Sequence, residues 1–390
     1  MIPVAEALSR VCALVRPVGA EHVTLRAAAG RVLAEPVIAK RDQPPFPASA
    51  MDGYAVPIED PAPGDRFRMI GESAAGHGHE GPLSAGEAVR IFTGAPIPEG
   101  AARVIIQEDV TRNGDEIVLN EALDSRRYIR AAGADFAAGT TFAPRRPLRP
   151  ADIALIAAMG HGEVALRRRP EIALIATGDE LVMPGEDPGR DQIVASNTFG
   201  LAAMIEAAGG IARMLPIARD NEASLETVLD LAAGADMIVT VGGASVGDRD
   251  LVAKVAEARG MERAFYKVAM RPGKPLMAGR IGGIPMVGLP GNPVSAVLCG
   301  TIFILPALQV MLGLPGDPAP RSPARLAVDL PPNGAREHYM RARLDGDSVT
   351  PFESQDSARL AILSSADALI VRPPHDPARQ VGETVDIIRL

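Results

Sequence analysis

Apolar and polar positions alternate along this chain with two different periods. Residues 4–33 carry apolar positions at helical spacing and close in Ala27-Ala28-Ala29-Gly30-Arg31-Val32-Leu33, which predicts a helical N-terminal stretch. Across 40–145 the period shortens. Pro and Gly recur every few residues between the β-type runs 88–92, 103–107 and 116–119, the mark of a small β-rich domain with tight turns. Residues 151–159, closed by Gly160, return to helical spacing, so the β-rich part reads as an insertion into a helical one.

From Glu171 strand and helix patterns take turns. Ile172-Ala173-Leu174-Ile175-Ala176 is a continuous apolar run, as in a strand buried on both faces. A helix is expected from Ser196 as N-cap to a Gly209-Gly210 stop, a strand over 211–217, and a helix over 221–233. Met237-Ile238-Val239-Thr240-Val241 forms the third strand. This alternation predicts a parallel sheet with helices on both faces, and ligands at the carboxyl ends of its strands. Beyond Leu312, Gly313-Leu314-Pro315-Gly316-Asp317-Pro318-Ala319-Pro320 reads as a hinge. Short alternating runs such as Tyr339-Met340-Arg341-Ala342-Arg343-Leu344 then predict a small C-terminal β domain.

Composition narrows the function classes. A length of 390 residues implies two to four domains at about 150 residues each. Aromatic content of 3%, no Trp and a net charge of −8 argue against a nucleic-acid binder, which needs stacking platforms and a basic surface. Cys12 and Cys299 allow neither a disulfide framework nor a Cys-rich metal site. The N-terminus lacks the basic and apolar regions of a secretory signal, and no uninterrupted apolar run reaches the ~18 residues of a spanning helix. A cytoplasmic protein with no membrane partner is the expectation.

Candidate chemistry lies in loops. In Pro44-Pro45-Phe46-Pro47-Ala48-Ser49-Ala50-Met51-Asp52-Gly53-Tyr54-Ala55-Val56, prolines stiffen the backbone before a single carboxylate, Asp52, and a glycine that permits close approach. A rigid turn is the plain alternative. The first α/β strand runs into Thr177-Gly178-Asp179-Glu180-Leu181. The third runs into Gly242-Gly243-Ala244-Ser245-Val246-Gly247-Asp248-Arg249-Asp250, whose glycines can turn backbone N–H groups toward a phosphate. In Leu289-Pro290-Gly291-Asn292-Pro293-Val294-Ser295, Asn292 reads as N-cap and Pro293 as the first helical residue. Lys267-Val268-Ala269-Met270-Arg271-Pro272-Gly273-Lys274-Pro275 gathers three cations between prolines, as an oxyanion site would. Acidic loops bearing Asp52, Asp179, Glu180, Asp220 and Asp250 offer oxygen ligands for Mg²⁺. Together these loops indicate group transfer on a phosphorylated small molecule, and residue chemistry alone goes no further. His77-Gly78-His79 lacks a third metal ligand and reads as a solvent loop.

Five of these segments, in order, resemble the signatures of the molybdopterin molybdenumtransferases, the MoeA and gephyrin E-domain family. They are Ser-Ala-Met-Asp-Gly-Tyr-Ala at 49–55, Thr-Gly-Asp-Glu-Leu at 177–181, Gly-Gly-Ala-Ser-Val-Gly at 242–247, the cation loop at 267–275 and Leu-Pro-Gly-Asn-Pro-Val-Ser at 289–295. Phe92-Thr93-Gly94-Ala95-Pro96-Ile97-Pro98-Glu99-Gly100 matches as well, and the likeness spans essentially the whole chain. It implies a multidomain α/β protein, elongated and homodimeric, with a central parallel α/β domain of the molybdopterin-binding type at 169–314. A helical or linker domain would comprise 1–38 and 140–168, an inserted β-rich domain carrying the Asp52 loop 39–139, and a C-terminal β domain 315–390.

The implied activity is Mg²⁺-dependent insertion of molybdate into adenylylated molybdopterin, with release of AMP. By the same resemblance, Asp52, Asp135, Glu180, Asp220 and Asp250 are the catalytic carboxylates, with Glu180 and Asp250 on the metal. Thr93, Arg130, Gly242, Gly243, Ser245, Pro290 and Asn292 would bind substrate. So would Lys267, Arg271, Pro272, Lys274 and Ser295, joined from the C-terminal domain by Ser357 and either Arg336 or Arg341. Arg271 departs from the family pattern, where Lys is common; it keeps the charge but offers a planar fork. Implied partners are an upstream molybdopterin adenylyltransferase and downstream molybdoenzymes or their chaperones. The adenylyltransferase itself is the rival enzyme, but its loop reads Gly-Gly-Thr-Gly where this chain has Gly-Gly-Ala-Ser. A non-enzymatic scaffold, as in the gephyrin branch, is the rival from another class.

Overall fold

A computed structural model describes residues 1–243 and 251–390. The chain divides into two compact units, Met1–Glu21 with Arg167–Leu390, and His22–Leu166.

The first unit is built on a six-stranded sheet in the order Ile211–Met214, Glu171–Ala176, Met237–Val241, Ile284–Leu289, Met277–Ile281, Glu262–Tyr266. The first four strands are parallel, and Met277–Ile281 runs against both its neighbours. The sequence pattern predicts only parallel pairing here. The reversal comes from Ile281-Gly282-Gly283-Ile284, whose glycines take φ of 56° and 82°, the two-residue turn that joins antiparallel strands. Leu225, Val228 and Leu229 of the helix Glu222–Leu231 pack with Val252, Val255, Ala173 and Ile175, burying the apolar faces whose removal from water drives this layer together. Ala176 lies opposite Val241, and Val241 opposite Leu289. Three candidate loops therefore leave the sheet from one row of residues.

The helix Pro293–Met311 is, by length and composition alone, apolar enough to cross a membrane, although polar residues and Pro306 interrupt its apolar run. It is 19 residues long with a mean hydropathy of 2.0, and 72% of its apolar window is buried within the protein, as befits the core helix of a sheet domain. Its centre, Gly300–Ile304, widens into a π turn. Pro306 has no N–H to continue the regular ladder, and a Cβ at Gly300 would lie 2.7 Å from Leu201 Cδ2.

The N-terminal helix is also shorter than its pattern, ending at Leu14. Val15 turns to extended backbone two residues before Pro17, and Ala20–Thr24 follows as a strand and Leu25–Ala27 as a single 3-10 turn. Proline disfavours helix at the residue before it, and the apolar spacing carried on past that break.

At the C-terminus Glu337–Asp345, Ser348–Pro351, Ser322–Leu326, Thr384–Arg389 and Ala368–Arg372 pair in sequence, and the last closes on the first to make a small barrel. The two-residue strand Met270–Arg271, from the cation loop, adds to Glu337–Asp345 with Arg271 opposite His338.

The second unit holds a six-stranded sheet ordered Arg103–Ile106, Gly53–Val56, Glu87–Ile91, Arg66–Ser73, Glu116–Leu119, Val110–Asn113. Gly53–Val56 is buried at all four positions.

Candidate functional site

In the second unit the Asp52 loop is held by backbone on every side. Ser49 N–H donates to Ala95 O, Gly94 N–H to Ser49 O, Ala50 N–H to Tyr128 O and Gln107 N–H to Asp52 O. Gly53 is required sterically, because a Cβ there would stand 1.9 Å from Ile105 O. The stiff run before Asp52 thus serves to deliver one carboxylate at the start of a buried central strand. Thr93 donates both its N–H and its hydroxyl to Asp52 Oδ1, each at 2.7 Å. These two bonds, with the charge of Arg90 behind them, hold the carboxyl below the usual range for aspartate. Arg130 pairs opposite Ala48, and Asp135 N–H donates to Gln43 O. Arg130 and Asp135 therefore flank the segment that leads to Asp52, and both are exposed. In the 77–79 loop, Ala74 and His77 exchange backbone hydrogen bonds.

In the first unit a cleft of about 930 Å³ opens at the carboxyl edge of the sheet. Of the sequence-derived candidates it brings together Glu180, Asp220, Gly242, Gly243, Pro290 and Asn292. The turn that presents Glu180 is pinned by Arg219, whose Nη1 donates to Asp179 O and Leu181 O at 3.2 and 3.1 Å. Asp220 N–H donates to Asp179 Oδ1 at 3.1 Å. Gly242 and Gly243 have φ of 99° and 65°, and a Cβ on either would come within 2.9 Å of Thr177 Oγ1. Only glycine fits this wall. Thr177 itself lines the cleft at 5% exposure, and among the described residues its hydroxyl has no hydrogen-bond partner. Leaving such a group unsatisfied costs about 1–3 kcal/mol, so it is poised to receive a ligand atom.

Asn292 departs from its expected role. It is the N-cap residue by position, with Pro293 first in the helix, but its side chain makes no capping bond. Its Nδ2 donates to Ser357 Oγ at 2.9 Å, and Val294 N–H is satisfied by Ser357 O at 3.1 Å. The barrel loop therefore caps this helix in place of the asparagine. Asn197 Nδ2 fixes the same turn from the other side through Gly291 O at 2.7 Å.

The cations form a second group. Lys267 N–H donates to Leu276 O and Val268 N–H to Lys274 O, closing a loop that carries Lys267, Arg271, Pro272 and Lys274. Lys267 Nζ sits 4.8 Å from the centre of the Tyr266 ring. A Cβ at Gly273 would meet Cys299 Sγ at 2.8 Å, which packs the loop onto the helix bearing Ser295. Ser295 is buried, at 3% exposure. Arg336, half-buried, donates to Met270 O at 3.4 Å. Arg341 is 1% exposed and its guanidinium donates to Gln355 Oε1 and Asp356 O, bracing the loop that carries Ser357. Burial, then the charges of Arg271, Arg372, Arg336 and Arg341, push the His338 pKa down to about 4. The histidine is thus neutral at neutral pH in a strongly cationic setting. None of Lys267, Arg271, Pro272, Lys274, Ser295, Arg336, Arg341 or Ser357 lines the cleft.

Ser245 and Asp250 lie outside the described residues. Among the described residues no three His, Cys, Asp or Glu side chains converge as a metal cage. Sequence reasoning overlooked Asn197, Lys254 and Arg219. Lys254 lines the cleft and pairs with Glu222 at 2.5 Å. Only Thr177, inside Thr-Gly-Asp-Glu, carried a readable signal.

Comparison with known proteins covers nearly all of the chain. Residues 2–160 match the model of the MoeA N-terminal region (domain I and II). Residues 173–310 match that of the "Probable molybdopterin binding domain", and 323–390 that of the MoeA C-terminal region (domain IV). The chain is 36% identical over 365 residues to molybdopterin molybdenumtransferase 2 of Mycobacterium tuberculosis, covering 90% of each chain. It is 34% identical over 386 residues to the molybdopterin molybdenumtransferase of a Nostoc species, covering 95% of this chain and 88% of the relative. The crystal structure of a molybdopterin biosynthesis MoeA protein from Pyrococcus horikosii superposes with a TM-score of 0.87 at 31% identity, covering 100% of this chain and 99% of the other.

Proposed function

Because this chain belongs to the molybdopterin molybdenumtransferase family, we propose that it inserts molybdate into adenylylated molybdopterin, releasing AMP and forming molybdenum cofactor. The observation that carries the reading is the cleft whose glycine wall, carboxylates and Thr177 hydroxyl, unpartnered among the described residues, meet at the ends of three neighbouring strands. Such an edge suits a ligand rich in phosphate and hydroxyl groups. An adenylyltransferase alone would not account for matches to the N-terminal and C-terminal MoeA regions, which lie outside the α/β domain. A scaffold role would not account for a cleft of this chemistry.

Each group of residues has a part in this reading. Lys267, Arg271 and Lys274, with Arg336 and the neutral His338 beside them, attract and neutralise molybdate. Arg341 orients the loop bearing Ser357 and does not meet the oxyanion itself. The glycines at 242 and 243 and the Thr177 hydroxyl position the pterin phosphate, and this fixed geometry supplies proximity. Glu180 and Asp220 are hard oxygen donors on one cleft, a set that fits Mg²⁺ held by one or two carboxylates plus substrate phosphates; Asp250 is the further ligand this reading assigns. Bound there, Mg²⁺ would neutralise charge on the pyrophosphate. Asp52, Thr93, Arg130 and Asp135 serve the same reaction from the inserted unit, in a cytoplasmic homodimer. That dimer receives substrate from a molybdopterin adenylyltransferase and delivers product to molybdoenzymes or their chaperones.

The test is AMP release from adenylylated molybdopterin with Mg²⁺, with and without molybdate. Release that depends on molybdate is expected. No release from competent substrate would overturn the reading.

A further inference from the structure

We propose that Arg90 is the positioning residue for Asp52, gripping the two chain segments, just after Asp52 and just before Thr93, whose adjoining residues form the Asp52–Thr93 pair. The inference rests on the reading of Asp52 as an acting carboxylate. Arg90 lies directly opposite Tyr54 in the ladder between Glu87–Ile91 and Gly53–Val56. Phe92 lies two residues further along, so its side chain faces the same way. The guanidinium carbon lies over both rings, 5.0 Å from the Tyr54 centroid and 4.8 Å from that of Phe92, within the range of cation–π attraction.

Its fork completes the grip. Nη1 donates to Gly53 O at 3.1 Å, and Nη2 donates to Gln107 Oε1 at 2.8 Å. Gln107 in turn donates its N–H to Asp52 O at 3.1 Å. One ring therefore belongs to the residue before Thr93, and the other to the second residue after Asp52. The two fork contacts reach the carbonyl of Gly53 directly and that of Asp52 through Gln107. An arginine that merely filled space would not need both rings and both carbonyl routes to converge on one hydrogen-bonded pair. Lysine can supply the charge and one stacking contact but not the planar fork.

The experiment compares Arg90→Met, Arg90→Lys, Gln107→Ala and Asp52→Asn in molybdate-dependent AMP release, with thermal unfolding of each. Displacing a reacting group by about an ångström costs up to about 100-fold. Arg90→Met is therefore expected to lower kcat by about 10–100-fold with KM unchanged, and Arg90→Lys to recover part of the loss. Gln107 is exposed, so Gln107→Ala keeps the fold and should lower kcat less than Arg90→Met. The proposal is overturned if Arg90→Met turns over at the wild-type rate, if Gln107→Ala lowers kcat more than Arg90→Met, or if lost activity only follows lost folded protein. It is overturned equally if Arg90→Lys is no better than Arg90→Met. Wild-type turnover in Asp52→Asn would sink the reading beneath it as well. An inactive Asp52→Asn beside an active Arg90→Met would sink the Arg90 assignment alone.

Discussion

At Asp52 the protein's own donors saturate one carboxylate oxygen, whereas in the α/β cleft a buried hydroxyl, Thr177 Oγ1, has no partner among the described residues. Both places use glycine to bring backbone close, yet to opposite ends. Gly53 lets two strands meet so that a side chain is fixed. Gly242 and Gly243 clear space over Thr177 and leave a wall with hydrogen-bonding capacity. A group that acts on a substrate benefits from being immobilised beforehand, and a group that recognises one must keep a valence open. The difference separates an acting site from a receiving one.

Three substitutions sharpen that contrast. Gly53→Ala should have the largest effect, because the Cβ would lie 1.9 Å from Ile105 O and the strands must part. We expect about 3 kcal/mol of lost stability, seen in the denaturation midpoint, with activity falling alongside. Thr93→Val removes the hydroxyl donor to Asp52 while leaving the N–H. Activity should fall about ten-fold. The Asp52 carboxyl, held low by the Thr93 bonds, should rise toward its ordinary value. Since the ionised form acts above that pKa, the acidic limb of the pH–rate profile must move to higher pH; an unmoved limb would show that Asp52 does not govern it. Thr177→Val should have the smallest effect on the fold, and with the opposite sign. Exchanging an unpartnered buried hydroxyl for a methyl should stabilise by about 1 kcal/mol while weakening binding of adenylylated molybdopterin in a titration. Lost stability there would mean the hydroxyl already has a partner, and the contrast with Asp52 would fail.

Much of this was legible in the sequence because it is local. The strand at Met237–Val241 follows from its mostly apolar run, whereas the caps do not follow from the pattern: Ser196 makes no side-chain cap bond, and Asn221, the first residue of the expected helix, is the cap of Glu222–Leu231 and accepts from Ser224 N–H. The Asp52 loop declared itself through the prolines that stiffen the chain before a single carboxylate, though the steric need for Gly53 showed only once Ile105 was placed beside it. What stayed hidden depends on distant chain. Asn292 reads as an ordinary cap until Ser357, 65 positions away, meets both it and the helix. Arg90 reads as one polar position in an apolar strand until its register with Tyr54 is known. The N-terminal helix overran because apolar spacing persists beyond Pro17 while the backbone leaves the helix before it.

The strand Met270–Arg271, borrowed by the barrel from the cation loop, has a mechanical consequence. Together with the Ser357 contacts to Asn292 and Val294, it stitches the barrel to the α/β domain at two places, one in the cation loop and one at the lip of the cleft. The barrel cannot peel away without unzipping the loop that holds Arg271. Local opening of the barrel and loss of the cation array are therefore one cooperative event, and amide exchange at 268–271 should keep time with exchange in Glu337–Asp345.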